Sequence, residues 1–274
     1  MNKPTYGITK NNIPFARIEG GDKTLMVWSG GPGNTLPKGW LFNQFTKGLS
    51  PLLDEYSLVM LTRRSGMPDG HSTRDMAEDY AALIKDEYGG HVDLIIGNSY
   101  GGIVVQHFAA DYPDLCDHVV ICAAAYEVSE TGKALDYRFA ELLSQNKPRQ
   151  AYQLMAGVVS SNSLVKRILR PLLWLVGPSI QGDANNEVFR RDILIEAQAE
   201  VAHDGRESLA RITIPTLILA GAHDNYFPME LFLETEKLIP GGKLIVYPDK
   251  GHNVLNDHQA ANDMLAWITE GMDK

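Results

Sequence analysis

Short apolar runs alternate with helical patterns along this 274-residue chain, and this alternation limits the possible folds more strongly than any other pattern in the sequence. The runs lie at residues 24–28, 57–61, 92–96, 118–122, 216–220 and 243–247. Their apolar residues are largely consecutive, which is typical of parallel strands that helices cover on both faces. Helical patterns at 75–87 and 102–110 fill two of the gaps. The sequence therefore predicts a doubly wound, mostly parallel α/β sheet, with residues 15–19 as an antiparallel strand leading in.

This alternation stops between about residues 126 and 209, where the sequence shows no convincing strand. Helical patterns occupy the segment at 135–143, 151–158 and 188–202, and an apolar stretch at 164–176 is interrupted by Pro171. The segment follows the carboxyl end of a strand, where α/β proteins place their ligands. We therefore predict a core domain of residues 1–125 and 210–274, and a helical cap, or lid, of residues 126–209. A helical subdomain that only thickens the fold is the alternative.

The strongest chemical signal is Gly97-Asn98-Ser99-Tyr100-Gly101-Gly102, which stands between the predicted strand at 92–96 and a helical pattern. A nucleophile elbow requires this context, because it consists of a strand, a sharp turn that exposes a serine, and a helix. Glycines two residues before and two residues after Ser99 let the neighbouring backbone pack closely. We expect Ser99 to be a nucleophile. A glycine-rich turn with an incidental serine is the alternative.

A serine nucleophile needs a base, and the base needs a carboxylate that orients it. Asp224 follows the predicted strand at 216–220, and His252 follows the one at 243–247. Both loops leave the carboxyl ends of parallel strands, so both lie on the edge of the sheet that carries Ser99. The chain order Ser, Asp, His is also the order known for triads on this architecture. Three separate loops are thus expected to bring Ser99, Asp224 and His252 to one edge.

These residues resemble those of the α/β-hydrolase superfamily. The resemblance runs from about residue 24 to residue 267, with anchors at 97–101, at 221–224 with Pro228, and at 251–252. It implies an eight-stranded sheet with a helical cap after the sixth strand, Ser99 as nucleophile, Asp224 as acid and His252 as base. It implies no metal and no organic cofactor. The weaker competitors for the acid and base roles are His107, His223, His258 and Asp249.

A glycine-rich loop, Ser29-Gly30-Gly31-Pro32-Gly33, follows the first predicted strand. It resembles the His-Gly-Gly-Pro-Gly oxyanion loop of several hydrolase branches, including proline iminopeptidases. By that resemblance, the backbone N–H groups of Gly31 and Tyr100 form the oxyanion hole. Ser29 stands where histidine is usual, and that histidine normally braces the loop, so we expect a less rigid loop with the same donors. A glycine-rich turn without this role is the alternative.

Three further residues are predicted to contact substrate: Gly30 in the loop, and Trp40 and Phe42 downstream of it. For the two aromatic residues, core packing is an equal alternative. The segment Arg63-Arg64-Ser65-Gly66 resembles the Asp-Arg-Arg-Gly segment of many relatives, with Thr62 in place of the aspartate. We predict that it is a structural loop near the site. Direct contact of either arginine with substrate is the alternative.

The triad predicts a serine hydrolase of the carboxylesterase type, which cleaves small to medium apolar or aryl esters through an acyl-enzyme. Simple esters are the least demanding substrates, and the predicted cap is rich in Leu, Val and Ala. A prolyl-iminopeptidase-like enzyme is an alternative that would need cap carboxylates to hold the substrate amine. The candidates are Glu127, Glu130, Asp183, Glu187 and Glu196. Hydrolysis of lactones or carbon–carbon bonds, and ligand binding without turnover, also remain open.

The net charge and the cysteines limit the binding partners and the cellular location that we expect for this protein. The formal net charge of −9 argues against nucleic acid and against an anionic membrane surface, since both attract Lys and Arg. No apolar stretch approaches the roughly 18 residues of a membrane span, and residues 1–12 lack the apolar centre of a signal peptide. Cys116 and Cys122 form no metal-binding motif, and Cys122 lies in an apolar run. We expect a cytoplasmic protein, monomer or homodimer, whose partner is a small-molecule ester.

Overall fold

The centre of the computed structural model, which describes residues 2–31, 33–156, 163–180 and 186–272, is a single sheet. Its strands are β1 (Thr5–Ile8), β2 (Pro14–Ile18), β3 (Lys23–Trp28), β4 (Tyr56–Leu61), β5 (Val92–Asn98), β6 (Cys116–Cys122), β7 (Thr216–Gly221) and β8 (Lys243–Tyr247). The eight strands lie in the order β1-β2-β4-β3-β5-β6-β7-β8. β2 runs antiparallel to both of its neighbours, and β3 to β8 are parallel. The predicted α/β class and strand number are confirmed.

Each predicted apolar run forms a strand of this sheet, and the predicted leading strand at 15–19 is β2, one residue earlier. β2 pairs antiparallel with β4, and Phe15 lies opposite Leu61. The sequence did not predict β1. This strand lies at the edge of the sheet and its side chains are mostly exposed, so it carries no apolar run.

Helices surround the sheet and fill the predicted gaps between strands. They are α1 (Gly39–Thr46), α2 (Thr73–Glu87), α3 (Tyr100–Asp111), α4 (Glu130–Ser144), α5 (Pro148–Leu154), α6 (Ser163–Ile180), α7 (Glu187–Ala202), α8 (Arg206–Leu209), α9 (Met229–Leu238) and α10 (His258–Met272). Short 3₁₀ turns cover Lys47–Asp54, Pro113–Leu115 and Val254–Asn256. The start of α2 shows why helices begin where they do. The Ser72 side chain accepts the N–H of Asp75, whose carboxylate accepts the N–H of Ser72, and this capping box satisfies two donors at the helix end.

The apolar stretch that Pro171 interrupts forms one helix, α6, which continues through the proline. Pro171 is exposed, so water can bond the carbonyl that the proline leaves without a donor. The predicted helix at 151–158 corresponds to α5, and its last two residues lie outside the described ranges. Within those ranges, no helix combines the length and the apolar character needed to cross a bilayer.

The hydrophobic core consists of two layers, one on each face of the sheet. Along β3, Met26 and Trp28 belong to the layer that α2 and α3 cover, whereas Leu25 and Val27 belong to the layer that α1 and α10 cover. Because both faces are covered, successive strand residues are buried. This burial explains the consecutive apolar residues that marked the strands in the sequence.

The chain between β6 and β7 carries helices α4 to α8 and, in its described part, no strand. Three of these helices, α4, α5 and α7, share a small apolar cluster of their own. The cluster consists of Phe139, Ala140, Leu142, Leu143, Ala151, Tyr152, Phe189, Ile193 and Ala197. α7 also packs against the main core through Ile195 and Ala199. The inserted helices are thus connected to the core through α7 and through α8, whose Leu209 also belongs to the main core.

Candidate active site

Ser99 occupies a sharp turn between β5 and α3. Its backbone has φ 52° and ψ −115°, a conformation that residues other than glycine rarely adopt. The Ser99 N–H donates to the carbonyl of Cys122 on the neighbouring strand, at 2.8 Å. A Cβ at Gly101 would lie 2.1 Å from the carbonyl oxygen of Trp28, so the turn admits only glycine there. The fold therefore holds Ser99 in a strained turn, as the GxSxG pattern predicts.

The structure brings the three predicted triad side chains together. Nε2 of His252 lies 2.8 Å from Oγ of Ser99, and Nδ1 of His252 lies 2.9 Å from Oδ2 of Asp224. The other Asp224 oxygen accepts the N–H groups of Tyr226 and Phe227, at 2.8 and 3.1 Å. An ionised carboxylate only accepts, so Nδ1 carries the proton and Nε2 is free to accept from Ser99. The arrangement can deprotonate the serine hydroxyl during nucleophilic attack.

The side chains of Asp224 and His252 differ in their exposure to solvent. The Asp224 side chain is fully buried, while 26% of the His252 side chain is exposed. The orienting carboxylate is thus shielded from water, and the imidazole is reachable by a small molecule. The competing residues lie elsewhere: His223 and Asp249 are exposed in loops, His258 faces Ser50, and His107 is buried beside Thr73 and Ser208.

A group of polar residues beside His252 was not predicted from the sequence. The Tyr226 ring lies 5.1 Å from the His252 ring, and its hydroxyl donates to Asp136 at 3.0 Å. The Asp136 carboxyl group also lies beside the Glu200 carboxyl group of α7. Burial raises the pKa of Asp136 to about 6, and burial together with the nearby Asp136 raises the pKa of Glu200 well above its ordinary value. Both carboxyl groups therefore bind a proton more tightly than they would in water.

The sequence carries only a weak sign of this group, because Glu200 stands four residues after Glu196 and eight residues after Asp192 along α7. Residues four apart lie on one face of a helix, and such an acidic face is ordinarily solvated. Here all three are buried, with exposures of 0, 1 and 5%. An acidic helix face that is buried must be paired. These carboxylates are therefore directed at protein groups rather than at water.

The predicted oxyanion loop packs directly against the serine turn. A Cβ on Gly30 would lie 2.6 Å from Cβ of Ser99, which leaves room only for glycine. Gly31 has φ 75° and open space around it. Tyr100 is the first residue of α3, so its N–H has no acceptor within the helix. Pro32 lies outside the described residues. Gly31 and Tyr100 thus remain the predicted donors, and Gly30 contacts the nucleophile turn.

The usual histidine is missing at position 29, and a different residue supports the oxyanion loop. The Ser29 hydroxyl donates only to the Leu61 carbonyl, at 2.9 Å. The Arg63 guanidinium, which is buried, instead donates to three carbonyls of the loop and to Glu196. With these acceptors around it, Arg63 fits the predicted structural role better than direct contact with substrate.

The other predicted contact residues fall into different environments. Phe42 is fully buried in one core layer and contacts Tyr6, which favours the core-packing alternative over a place in the pocket wall. Trp40 is 73% exposed on α1. Its proposed contact with substrate stays a prediction.

Most of the carboxylates predicted as candidates for binding a substrate amine are paired with a basic side chain or exposed to solvent. Glu196 pairs with Arg63, and Glu127 and Glu130 both pair with Lys133. Glu187 is exposed, and Asp183 lies outside the described residues. Within the described part of the chain, no group of three or more His, Cys, Asp or Glu side chains is arranged to hold a metal ion.

Comparison with known proteins agrees with this architecture. A 2-hydroxy-6-oxononadienedioate/2-hydroxy-6-oxononatrienedioate hydrolase from Pseudomonas sp. is 26% identical over 267 residues, which cover 90% of this chain and 88% of that protein. A solved esterase from Thermogutta terrifontis shares the fold over 98% of both chains, with a TM-score of 0.71 and 20% identity. A meta-cleavage product hydrolase from Pseudomonas fluorescens does so over 98% of both chains, with a TM-score of 0.67 and 17% identity. The sequence model of a family described by its alpha/beta hydrolase fold matches residues 43–259, which is most of the chain. The protein is therefore a member of the alpha/beta hydrolase fold family.

Proposed function

We propose that this protein is a serine hydrolase of the carboxylesterase type, acting on esters with small to medium apolar or aryl groups. The observation that carries the proposal is the continuous hydrogen-bond chain from Ser99 through His252 to Asp224. Both links have the length of a formed hydrogen bond, and Ser99 stands at the start of a helix, next to a glycine-rich loop. Nucleophile, base, orienting carboxylate and candidate oxyanion donors are therefore close to one point.

In the proposed reaction, the Ser99 proton moves to Nε2 of His252 as Oγ attacks the ester carbonyl carbon. The Asp224 carboxylate stabilises the imidazolium that forms. The N–H groups of Gly31 and Tyr100 bind the negative oxygen of the tetrahedral intermediate. Nε2 then returns the proton to the leaving alkoxide, which departs as an alcohol. Water, deprotonated by the same imidazole, hydrolyses the acyl-enzyme and restores Ser99.

The charges around His252 support an uncharged ester over a dicarboxylate. Asp136 and Glu200 lie on the Tyr226 side of the imidazole, and they disfavour the approach of another carboxylate. Arg63 is buried and occupied by the loop, so it offers no contact to an anionic substrate. Carbon–carbon bond hydrolysis by the same triad is the second candidate. Its support is the 26% identity to the Pseudomonas hydrolase, whose named substrates are dienedioates and trienedioates.

We also propose that residues 126–209 act as a cap over this site, attached to the core formed by residues 1–125 and 210–274. The support is that α7 of this segment contributes Glu196 to the oxyanion loop and Glu200 to the group beside His252. Substrate would then be enclosed between the sheet edge and the inserted helices. A pocket with two sides of this kind is the usual place for specificity in α/β proteins.

A fluorophosphonate probe tests the nucleophile directly. We expect peptide mapping to locate the adduct on Ser99, and Ser99→Ala to lower kcat for p-nitrophenyl butyrate by about 10⁴-fold or more. Ser144→Ala, an exposed serine at the end of α4, is the matched control and keeps full activity. Absence of label on Ser99, together with intact hydrolysis by Ser99→Ala, would overturn the mechanism.

A substrate panel then separates the reaction classes. p-Nitrophenyl esters from acetate to octanoate, a proline arylamide, an aryl lactone and a 2-hydroxy-6-oxo-dienedioate are compared at equal enzyme concentration. The proposal expects the highest kcat/KM on an ester. Preferred turnover of the dienedioate would establish the second candidate instead. Ligand-induced shifts in melting temperature without any turnover would contradict both and identify a binding protein.

A further inference from the structure

The Arg63 side chain holds the oxyanion loop by its carbonyl groups. Nη1 donates to the carbonyl of Ser29 at 2.6 Å, and Nη2 donates to the carbonyls of Gly31, at 2.8 Å, and Gly33. The Ser29 and Gly31 carbonyls lie on either side of the Gly30–Gly31 peptide, whose N–H is the proposed oxyanion donor. That peptide is therefore fixed from both sides by one rigid, planar guanidinium.

Glu196 holds Arg63 in this position from the inserted segment, 133 residues further along the chain. Its Oε2 lies 3.0 Å from Nη2 of Arg63 and accepts the N–H of Gly33 at 2.9 Å. The two side chains are 0 and 2% exposed. One carboxylate oxygen thus contacts both the arginine and the backbone of the loop.

Asp192, one helical turn before Glu196, secures the neighbouring backbone. Its two oxygens accept the N–H groups of Gly66 and Met67, at 2.8 and 2.9 Å, and Oδ2 also accepts the Asn34 side-chain amide at 2.7 Å. Helix α7 therefore holds the residues that follow the oxyanion loop and those that follow Arg63.

Stability alone is a poor explanation for this arrangement. A buried ion pair loses much of its Coulomb energy to desolvation, and apolar residues of similar volume often serve folding equally well. The pair does supply a fixed geometry, because the guanidinium presents its donors in a planar fork and stays charged. Fixed geometry is what an oxyanion hole requires, since its donors must be in place before charge develops.

We propose that Arg63 and Glu196 are positioning residues, which fix the Gly30–Gly31 peptide for transition-state binding and so make the oxyanion hole depend on the inserted helix α7. This proposal rests on the proposed function, because it requires a tetrahedral intermediate on Ser99. It predicts a loss in transition-state affinity that ground-state affinity does not share.

The test compares Arg63→Lys with the neighbouring Arg64→Lys, whose arginine forms a partly exposed ion pair with Asp79. Kinetics with p-nitrophenyl acetate are measured together with inhibition by phenyl trifluoromethyl ketone, which adds to Ser99 as a tetrahedral adduct, and by benzoate. For Arg63→Lys we expect kcat and the ketone affinity to fall by about 10²-fold, as when one oxyanion donor is lost. KM and the benzoate affinity stay within about threefold, and Arg64→Lys matches the wild type in every measurement.

Unchanged kcat and ketone affinity in Arg63→Lys would overturn the proposal, and so would equal losses of ketone and benzoate affinity. If Arg63→Lys does not fold, Glu196→Gln decides by the same ratio of ketone to benzoate affinity, because it keeps the shape and one acceptor oxygen. Failure of the proposed function gives a different result. The wild-type enzyme would then neither hydrolyse the ester nor take a fluorophosphonate on Ser99.

Discussion

Asp224 orients His252 through a single hydrogen bond, 2.9 Å from Oδ2 to Nδ1, while its other oxygen is held by two backbone N–H groups. The two oxygens therefore have different partners and cannot exchange roles. The backbone donors fix Oδ1 as an acceptor, so the Oδ2 position decides which tautomer His252 adopts. This division of roles makes the effect of one substitution predictable.

Asp224→Asn should inactivate the enzyme with little change in fold. The two N–H groups of Tyr226 and Phe227 retain the amide oxygen, which directs the amide NH₂ at Nδ1 of His252. The imidazole then carries its proton on Nε2 and cannot accept from Ser99. We expect kcat to fall by about 10⁴-fold with KM changed severalfold at most, measured with p-nitrophenyl esters. Activity within tenfold of the wild type would show that Asp224 does not set the tautomer.

The strained backbone of Ser99 predicts an unusual order of stabilities. At φ 52°, an alanine is strained by roughly 1–2 kcal/mol, whereas glycine is not, although glycine loses about 0.5–1 kcal/mol more entropy on folding. Ser99→Gly should therefore be more stable than Ser99→Ala by about 0.5–1 kcal/mol in urea unfolding. Both variants lack the hydroxyl, so the lost contact with His252 cancels between them.

Ala134 is an exposed residue in the middle of α4, and it provides the control for the usual order, in which the alanine variant is more stable than the glycine variant. There the change to glycine should destabilise the protein by about 1 kcal/mol. If Ser99→Gly is the less stable of the two Ser99 variants, as at the helical site, the turn does not store strain.

Two buried histidines predict a loss of stability in acid. Nε2 of His107 and Nδ1 of His203 lie 3.1 and 3.0 Å from the Thr73 hydroxyl. Burial, aided by Arg74, lowers the pKa of His107 to about 4, and burial with the nearby His107 lowers that of His203 well below its ordinary value. Between about pH 6.5 and 4 the unfolded chain binds more protons than the folded one, so stability falls as pH falls.

His107→Gln should reduce this dependence while keeping a polar side chain beside Thr73. Between pH 7 and pH 5 we expect the wild type to lose roughly 2 kcal/mol more than the variant, from the shift of His107 alone. His223→Gln, at an exposed loop position, is the control and should follow the wild type. Equal pH dependence of wild type and His107→Gln would mean that His107 binds a proton equally well in both states.

The carboxyl pair beside His252 predicts a pH dependence of opposite sign. Because burial raises the pKa of Asp136 to about 6, the folded chain binds more protons than the unfolded one between about pH 4 and 6. This contribution to stability is present at low pH and is lost as pH rises through that window. Asp136→Asn removes it, and also removes the charge that raises the pKa of Glu200.

We therefore expect Asp136→Asn to raise the melting temperature more at pH 8 than at pH 4. Asp86→Asn, exposed on α2, should show no such difference. A stabilisation that is larger at pH 4 than at pH 8 would contradict the raised pKa of Asp136 in the folded chain.

Seven of the eight strands, β2 to β8, could be predicted from the sequence, and so could the edge of the sheet on which Ser99, Asp224 and His252 lie. Strands buried on both faces require consecutive apolar residues, so they were visible without tertiary information. Once those strands were placed in parallel, the residues after β5, β7 and β8 had to share one edge. Ser99, Asp224 and His252 were predictable for that reason, although their hydrogen-bond geometry was not.

The partners of Arg63 and of the acidic residues on α7 could be identified only from the packing of separate elements. In sequence, Asp192, Glu196 and Glu200 resemble a solvated helix face, and Arg63 belongs to a predicted structural loop near the site, with no sign of what its charge contacts. Whether a charge is buried depends on partners that are distant in the chain, and Glu196 meets Arg63 across 133 residues. The same is true of Phe42, which the core encloses completely. Local patterns report which side of an element is apolar, but the pairing of polar groups is settled only when separate elements pack together.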